Sequence, residues 1–562
     1  LASLDQAGAE NIKTLTVTKT QDGADQECEI DCTLREAFQI IEAAGPGDPS
    51  DPARWIVDLI DGEYILLDQF FDPVFAPSFT LPDHVDVLLK GSDATINLRG
   101  WSGGRFLPDK QALFVLGNYS RIATFQVSFL GLGTGRDSGD YRSLLVAQGP
   151  GKGDNSADFY YSQIRGGGGN YFKRSAGIAD LHIGLKTFVT LWNSSVSDLS
   201  PGGLADSKEP VYSDDAPWSI RAFEVTIVGS TLQKMPQIRF HHNLYVFKSS
   251  LFDFWRGYHN PSTGRVVLGI GPTAKLKYGA SDFPTAYVAA SMLGYRQPND
   301  LMPSNFQIPT SGAMFIGSGG RLILQNSTVY NPFPSLVTDD LPLANVHILE
   351  NVTIPGRVSI SGVNSAMTSS PIVQATGGVT MRFVTAVDID SAPVLGGDAK
   401  VSASIFESTG PDCSNTPWSI QWTVTSDSSC GPTTISTYDL RPLGWYGGPT
   451  PTRPHLSTHP AFNLVPTPVC YPVRYDQRFS VRPVGHSCDA GAVEIDALDR
   501  ASEGGPSSSL RESDSISVGN GVDLPLEQVV QNAPSEIRAA ISNLESALAN
   551  LQALTLEIDH RS

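Results

Sequence analysis

Charge is scarce in this chain, and basic charge scarcer still: 17% of its 562 residues are charged, with 39 Lys and Arg against 58 Asp and Glu. The net charge of −19 argues against binding nucleic acid or an anionic membrane through bulk charge, while leaving room for local basic patches. Long apolar runs are missing too. No eighteen consecutive apolar residues occur, so no stretch reads as a membrane-spanning helix. No Walker loop, His-Glu-x-x-His or nucleophile motif is present, and the run Gly166 to Gly169 lacks the following Lys-Ser/Thr of a phosphate loop and reads as a turn. Cysteine is limited to six, an even number that suits an oxidising compartment. Nearest-neighbour pairing would join Cys28 to Cys32, Cys413 to Cys430 and Cys470 to Cys488. A zinc site is the rival, but the spacing is irregular and no His sits at ligand spacing.

Glycine (53) and proline (39), by contrast, are plentiful, as turn-rich β proteins require. Between the turns one pattern recurs. In Gly319 to Asn331 an apolar strand runs into Asn326-Ser327-Thr328 and a second β-branched strand follows. Similar pairs lie at 188–198, 223–233, 244–253, 345–354, 378–387 and 399–408. One such pair cannot bury its inner face alone, so the pattern predicts a stack of coils. The expected fold class is all-β: a right-handed parallel β-helix, or solenoid, with strands of successive coils pairing at about 4.8 Å around one interior. Asn and Ser suit the corner because Asn tolerates a left-handed backbone and both side chains bond nearby backbone groups. A β-sandwich with irregular strands is the alternative, but it would not need the same corner in each pair.

The first 110 residues read as an N-terminal cap and first coils, 111–410 as the solenoid body, 411–496 as a C-terminal cap region, 497–524 as a flexible linker and 525–562 as an amphipathic helical tail. After the strand 11–20, Thr33 and Glu36 have capping-box spacing, and Leu34, Ala37, Phe38 and Ile41 share one helical face suited to covering the open end of the first coil. Long loop insertions are expected at 133–169, 200–217 and 256–311. In the tail, Ile537, Ile541, Leu544, Leu548 and Leu551 repeat at four-three spacing, which predicts an assembly helix tethered to the solenoid and joined to a protein partner or a second copy.

Cys32 to Phe38 resembles the Cys-Ser-Leu-Arg-Glu-Ala signature of bacterial exported β-helix proteins, with Thr33 in place of Ser, and Trp55 to Leu66 is similar to that family's strand ending in Gly-x-Tyr. Asp476-Gln477-Arg478, Arg482 and Cys488-Asp489-Ala490-Gly491-Ala492-Val493-Glu494 resemble the ending shared by the choice-of-anchor Q surface-protein family. Phe479 stands where that pattern has Gly, and Ala490 where it has Ile, which puts the turn after Arg478 in question. The resemblance implies an exported protein at the cell surface, outside the cell or in the periplasm. Thr33, Arg35 and Glu36 would serve the first cap, and Asp476, Arg478, Arg482, Asp489 and Glu494 an ion-pair network closing the last coil. The opening at Leu1 rather than Met fits a mature form whose export signal has been removed.

Fold alone does not choose a chemistry. A lyase on this scaffold would hold Ca²⁺ with carboxylates beside an Arg or Lys base, and a glycosidase would use an acid/base pair. The best catalytic cluster in the sequence is Arg239, His241, His242, Asp253, Arg256, Tyr258 and His259, and strand alternation lets only one of the two adjacent histidines face a groove. Asp214-Asp215 and Asp339-Asp340 sit beside turn residues and read as solvated loops. The sequence therefore favours a non-catalytic structural and binding protein without a cofactor, its long loops forming the contact surface. A carbohydrate-active enzyme or a polysaccharide-binding adhesin with a groove on one sheet is the rival.

Overall fold

The structure, a computed structural model, describes residues 12–20, 31–65, 79–98, 112–132, 143–147, 154–166, 177–181, 186–197, 218–233, 237–252, 268–270, 285–294, 314–316, 321–330, 336–338, 347–354, 373–388, 393–436, 440–496, 499–500 and 542. Within these, thirty-one strands join one sheet system in which each strand pairing is parallel. The chain is all-β, and its architecture is a parallel β-solenoid. Strand Lys186–Trp192 shows the repeat: it lies between Asp154–Tyr160 and Trp218–Val228, with Leu191 in register with Phe159 on one side and Ile227 on the other. Three ladders climb the stack, represented by Arg121–Leu132 continuing across a corner through two of them and by Ala112–Leu116 in the third.

Alternation decides what each strand buries. In Lys186–Trp192, Val189 and Leu191 point inward, and the partners of Leu191 above and below form one column: Phe159, Leu191, Ile227, Val246, Val288, Leu324, Leu349, Met381 and Val401. At about 25 cal/mol per Å², such a shared column is the main stabilising term, and it grows with each added coil.

The corners have a common build. One residue adopts a left-handed backbone, at Tyr161, Asn193, Lys248, Ala290, Asn326, Asn351, Phe383 and Ala403, with Gly229 taking the same place in its coil. In most coils a fully buried serine follows. Its hydroxyl bonds the carbonyl two residues back, as in Ser230 to Val228, and accepts the amide of the serine one coil earlier. Ser162, Ser194, Ser230, Ser249, Ser291 and Ser327 thus form a continuous chain with amide-to-hydroxyl distances of 3.0, 3.0, 3.1, 3.1 and 3.2 Å. The ladder satisfies polar groups that would otherwise be stranded in the core.

Two coils lie where the sequence predicts only loop. Asp154–Tyr160 with Gln163–Gly166, and Thr285–Ala289 with Met292–Gly294, are full members of the stack. Their corners carry Tyr161 and Ala290 in place of Asn, so the corner signal fails, while the following serine keeps the hydrogen bond. Gly166 accordingly ends a strand, and Gly167 to Gly169 lie outside the described residues.

A helix spans Leu34–Ala43. Thr33 caps it reciprocally with Glu36, the Thr33 amide donating to Glu36 Oε2 at 2.7 Å and the Glu36 amide to Thr33 Oγ1 at 3.3 Å. Its apolar face is buried, with Phe38 stacked on Phe79 at 4.6 Å and tilted against Phe114 at 5.5 Å. Among the described residues no helix is long and apolar enough to cross a membrane. Cys413–Cys430 and Cys470–Cys488 are disulfides, and Cys32 is also disulfide-bonded, whereas Cys28 lies outside the described residues. The tail residues Ile537, Ile541, Leu544, Leu548 and Leu551 lie outside them as well.

Candidate functional site

Chemistry on a solenoid has to sit on an outward face, because the inner columns are packed. On the ladder that contains Lys186–Trp192, the outward column nearest the corner runs Phe125, Tyr160, Trp192, Val228, Phe247, Ala289, then Gln325, Glu350 and Arg382. The first part is an aromatic row with its own buried cluster. The second is a polar relay: Tyr287 Oη donates to Gln325, Gln325 Nε2 donates to Glu350 Oε1 at 2.9 Å, and Arg382 pairs with the other Glu350 oxygen. Burial pushes the Glu350 carboxyl above its ordinary range, while Arg382 opposes the shift.

Two columns further out, Arg54, Asp86 and Arg121 alternate in sign in successive coils, and Asp158, two coils beyond Asp86, lies on the same face one column nearer the corner. Burial raises both carboxyls, with Arg121 and Arg54 pulling Asp86 back and hydrogen bonds from Thr190 and Ser156 doing so for Asp158. These are two carboxylates and two guanidinium groups on one outward face.

The third place is less covered. Strand Gln237–Phe247 shifts register against Trp218–Val228 between Ala222 and Glu224, so two residues, His241 and His242, oppose one, Phe223. The bulge breaks the strict alternation expected for the two histidines, and it lays the His242 ring flat on Phe223 at 4.9 Å with 4° between planes. The Asn243 amide reaches His242 Nδ1 at 2.8 Å and Glu224 Oε2 at 3.2 Å, and His242 Nδ1 stands 3.3 Å from the same oxygen. Nδ1 thus faces both an amide donor and a carboxylate acceptor, and its role follows the ring tautomer. Tyr245 lies on the same face two residues beyond Asn243, and burial with the nearby Glu224 charge raises its hydroxyl pKa. Side-chain exposure of 37% for His242 and 24% for Glu224 leaves both within reach of a ligand.

Of the catalytic residues picked from the sequence, His242 is thus placed on a sheet face, but its partner there is Glu224. Arg239 lies in the same strand with its side chain outside the description, and Asp253, Arg256, Tyr258 and His259 lie outside the described residues, as do Asp214, Asp215, Asp339 and Asp340. Sequence reasoning missed Glu224 because it is nineteen positions from Asn243; only coil register makes them neighbours. No described group of three or more His, Cys, Asp or Glu is placed to hold a metal ion.

The C-terminal acids and arginines form the most connected cluster. Arg478 pairs with Asp476 at 3.1 Å and with Asp499 at 2.8 Å, and Arg482 pairs with Glu494 at 2.8 Å while donating to the Asp489 and Gly491 carbonyls. Asp476 accepts the amides of Arg478, Ser480 and Glu494. Asp489 accepts those of Asn463 and Ile495 and is pushed up to about 6 by burial; burial likewise raises Glu494. Asp476, Arg478, Arg482, Asp489 and Glu494 are all buried.

The cluster does not sit beyond the last coil. Gln477 donates to Thr328 Oγ1 at 2.9 Å and accepts from Thr353 at 2.7 Å, Asn351 donates to the Tyr475 carbonyl, and the Ala492 amide donates to Thr385. The Gly491 amide donates to the Ala403 carbonyl at 2.8 Å. At this approach Gly491 has φ +91, and a Cβ there would stand 2.7 Å from both Ile405 Cδ1 and Thr385 Oγ1. The Arg482 guanidinium stacks over Phe383 at 4.2 Å. Residues 450–492 therefore lie along the corner row of four successive coils, where the sequence predicts a plug for the last one. Phe479 adopts φ +68, a left-handed conformation that a glycine would favour, and packs against the aromatic cluster.

No family model matches the chain. No curated protein matches it either. Among solved structures it is similar to that of pectate lyase Pel9A, at 11% sequence identity and a TM-score of 0.35, over 86% of this chain and 96% of that one.

Proposed function

We propose that this chain is an exported structural and binding protein of the bacterial cell surface or extracellular space, built as a right-handed parallel β-helix of the choice-of-anchor Q type. The helix Leu34–Ala43 would close its first coil, and the C-terminal segment would clasp its side. The reading rests on one observation: the acids and arginines of the ending are buried and bonded to one another, and they brace a segment whose Gln477, Gly491 and Ala492 bond to four successive coils. Charges used in this way hold a scaffold rigid rather than turning over a substrate. The tail beyond residue 525 would join a partner or a second copy.

A carbohydrate-directed role is the second reading, favoured by the half-exposed Glu224–His242 pair beside aromatic rings. Incubating the full chain with acidic and neutral polysaccharides, with and without Ca²⁺, separates the two. Unchanged polymer length is the expected result, and shortened or unsaturated products would replace the scaffold reading with an enzymatic one.

A further inference from the structure

We propose that Phe188, Phe223, Glu224, His242, Asn243 and Tyr245 form a subsite for a neutral, hydroxyl-rich glycan. The proposal rests on the binding-protein reading above and names the ligand class of one surface.

The strands that carry these residues are already paired on both sides, Trp218–Val228 with Lys186–Trp192 and with Gln237–Phe247. Their backbone groups are therefore spent, so a peptide could not add as a further strand and a ligand has only side chains to meet. Those side chains are of two kinds. Phe188 packs edge-on to Phe223 at 6.0 Å, and Phe223 carries the flat His242 ring, which gives apolar faces. Beside them, Glu224 offers carboxylate lone pairs and His242 a ring nitrogen, held in place by Asn243. A sugar ring presents the same combination in reverse, with C–H faces flanked by hydroxyls that both donate and accept.

Charge selects among glycans. Glu224 is the carboxylate among the described side chains of the strip, Arg221 and Arg239 stand in register nearer the start of these strands with side chains outside the description, and the chain as a whole carries −19. A uronate or sulfate placed against Glu224 would meet like charge, whereas a neutral hydroxyl would donate to it. The register bulge at 241–242 places His242 over Phe223 at this one coil.

The test is affinity electrophoresis of the full chain in gels containing mixed-linkage β-glucan, galactomannan or polygalacturonate, with Glu224→Ala, Glu224→Gln, His242→Ala and the exposed control Gln163→Ala. The proposal expects retardation by a neutral polymer, a loss of about tenfold in apparent affinity for the Glu224 and His242 variants, and no change for Gln163→Ala. Thermal melts of the same samples identify a misfolded variant, in which case the isosteric Glu224→Gln decides. Retardation by polygalacturonate alone, or by none of the three, overturns the proposal. Neutral-polymer binding that survives both substitutions overturns this subsite while leaving the binding-protein reading intact, and shortened polymer in the gels removes the non-catalytic reading itself.

Discussion

The corner row of the solenoid exists in two forms. In the coils around Tyr161, Asn193 and Gly229 the outward residues two places further on are Gln163, Ser195 and Thr231, exposed or half-exposed, and the inward serines hold the corners together. In the coils around Asn326, Asn351 and Phe383 the corresponding outward residues are Thr328, Thr353 and Thr385, all buried and all bonded to the C-terminal segment. The serine ladder stops in that stretch, where Val352 and Val384 take the inward place, and resumes at Ser404. One backbone geometry is thus stabilised from within in the early coils, from both sides at Asn326, and from outside at Asn351 and Phe383. A corner needs one set of satisfied hydrogen bonds, and which side supplies it is free to vary.

The largest effect on this contrast is expected from Arg482→Ala. It leaves Glu494 buried without its cation, at a cost of about 3–5 kcal/mol. Chemical denaturation with proteolysis of the 440–496 segment should show the clasp released before the early coils unfold. Next, Gly491→Ala adds a Cβ at a left-handed position already in contact with Ile405 and Thr385, for a loss of roughly 2–3 kcal/mol read as a lowered Tm. Removing the Cys470–Cys488 link by Cys470→Ser with Cys488→Ser should cost about 3 kcal/mol, again confined to the covered coils.

On the other side of the contrast, Ser230→Ala removes a hydroxyl used by two coils and strands the Ser194 amide, for about 1–3 kcal/mol, whereas the exposed Gln163→Ala should change stability by less than about 0.5 kcal/mol.

A pH series tests the early outward face. Burial raises Asp158 in the folded state, so the folded chain disfavours its ionised form. The penalty is fully present above the folded pKa and vanishes below the unfolded value of about 3.9. Asp158→Asn should therefore melt higher than the parent at neutral pH, and the gap should close as the pH falls towards 4. A gap that widens on acidification would mean that the carboxylate is stabilised by its hydrogen bonds to Thr190 and Ser156 more than burial destabilises it.

Much of this could be read from the strand pairs alone. Leu191, Ile227 and Leu324 mark inward positions by alternation, Asn193, Asn326 and Asn351 mark corners because Asn tolerates the left-handed backbone, and Thr33 with Glu36 marks a helix start. The coils at Tyr161 and Ala290 were illegible because the corner conformation there is imposed by stacking on neighbours rather than favoured by the residue itself. Likewise, Asp476, Arg478, Arg482 and Glu494 stand out in sequence as a charged group with regular company, but nothing in their order says that Gln477 reaches Thr328, 149 positions earlier.

The sequence by itself determined the repeating unit: strand, left-handed corner, small hydroxyl, strand, since these follow from side-chain alternation and local backbone preference. Only the tertiary structure decided which coils become neighbours, and hence that Glu224 meets Asn243 and His242, and that the C-terminal segment lies along four coils. The reason is that register between coils is set by the lengths of the intervening loops and by the packing of the shared core, quantities that no single stretch of chain contains.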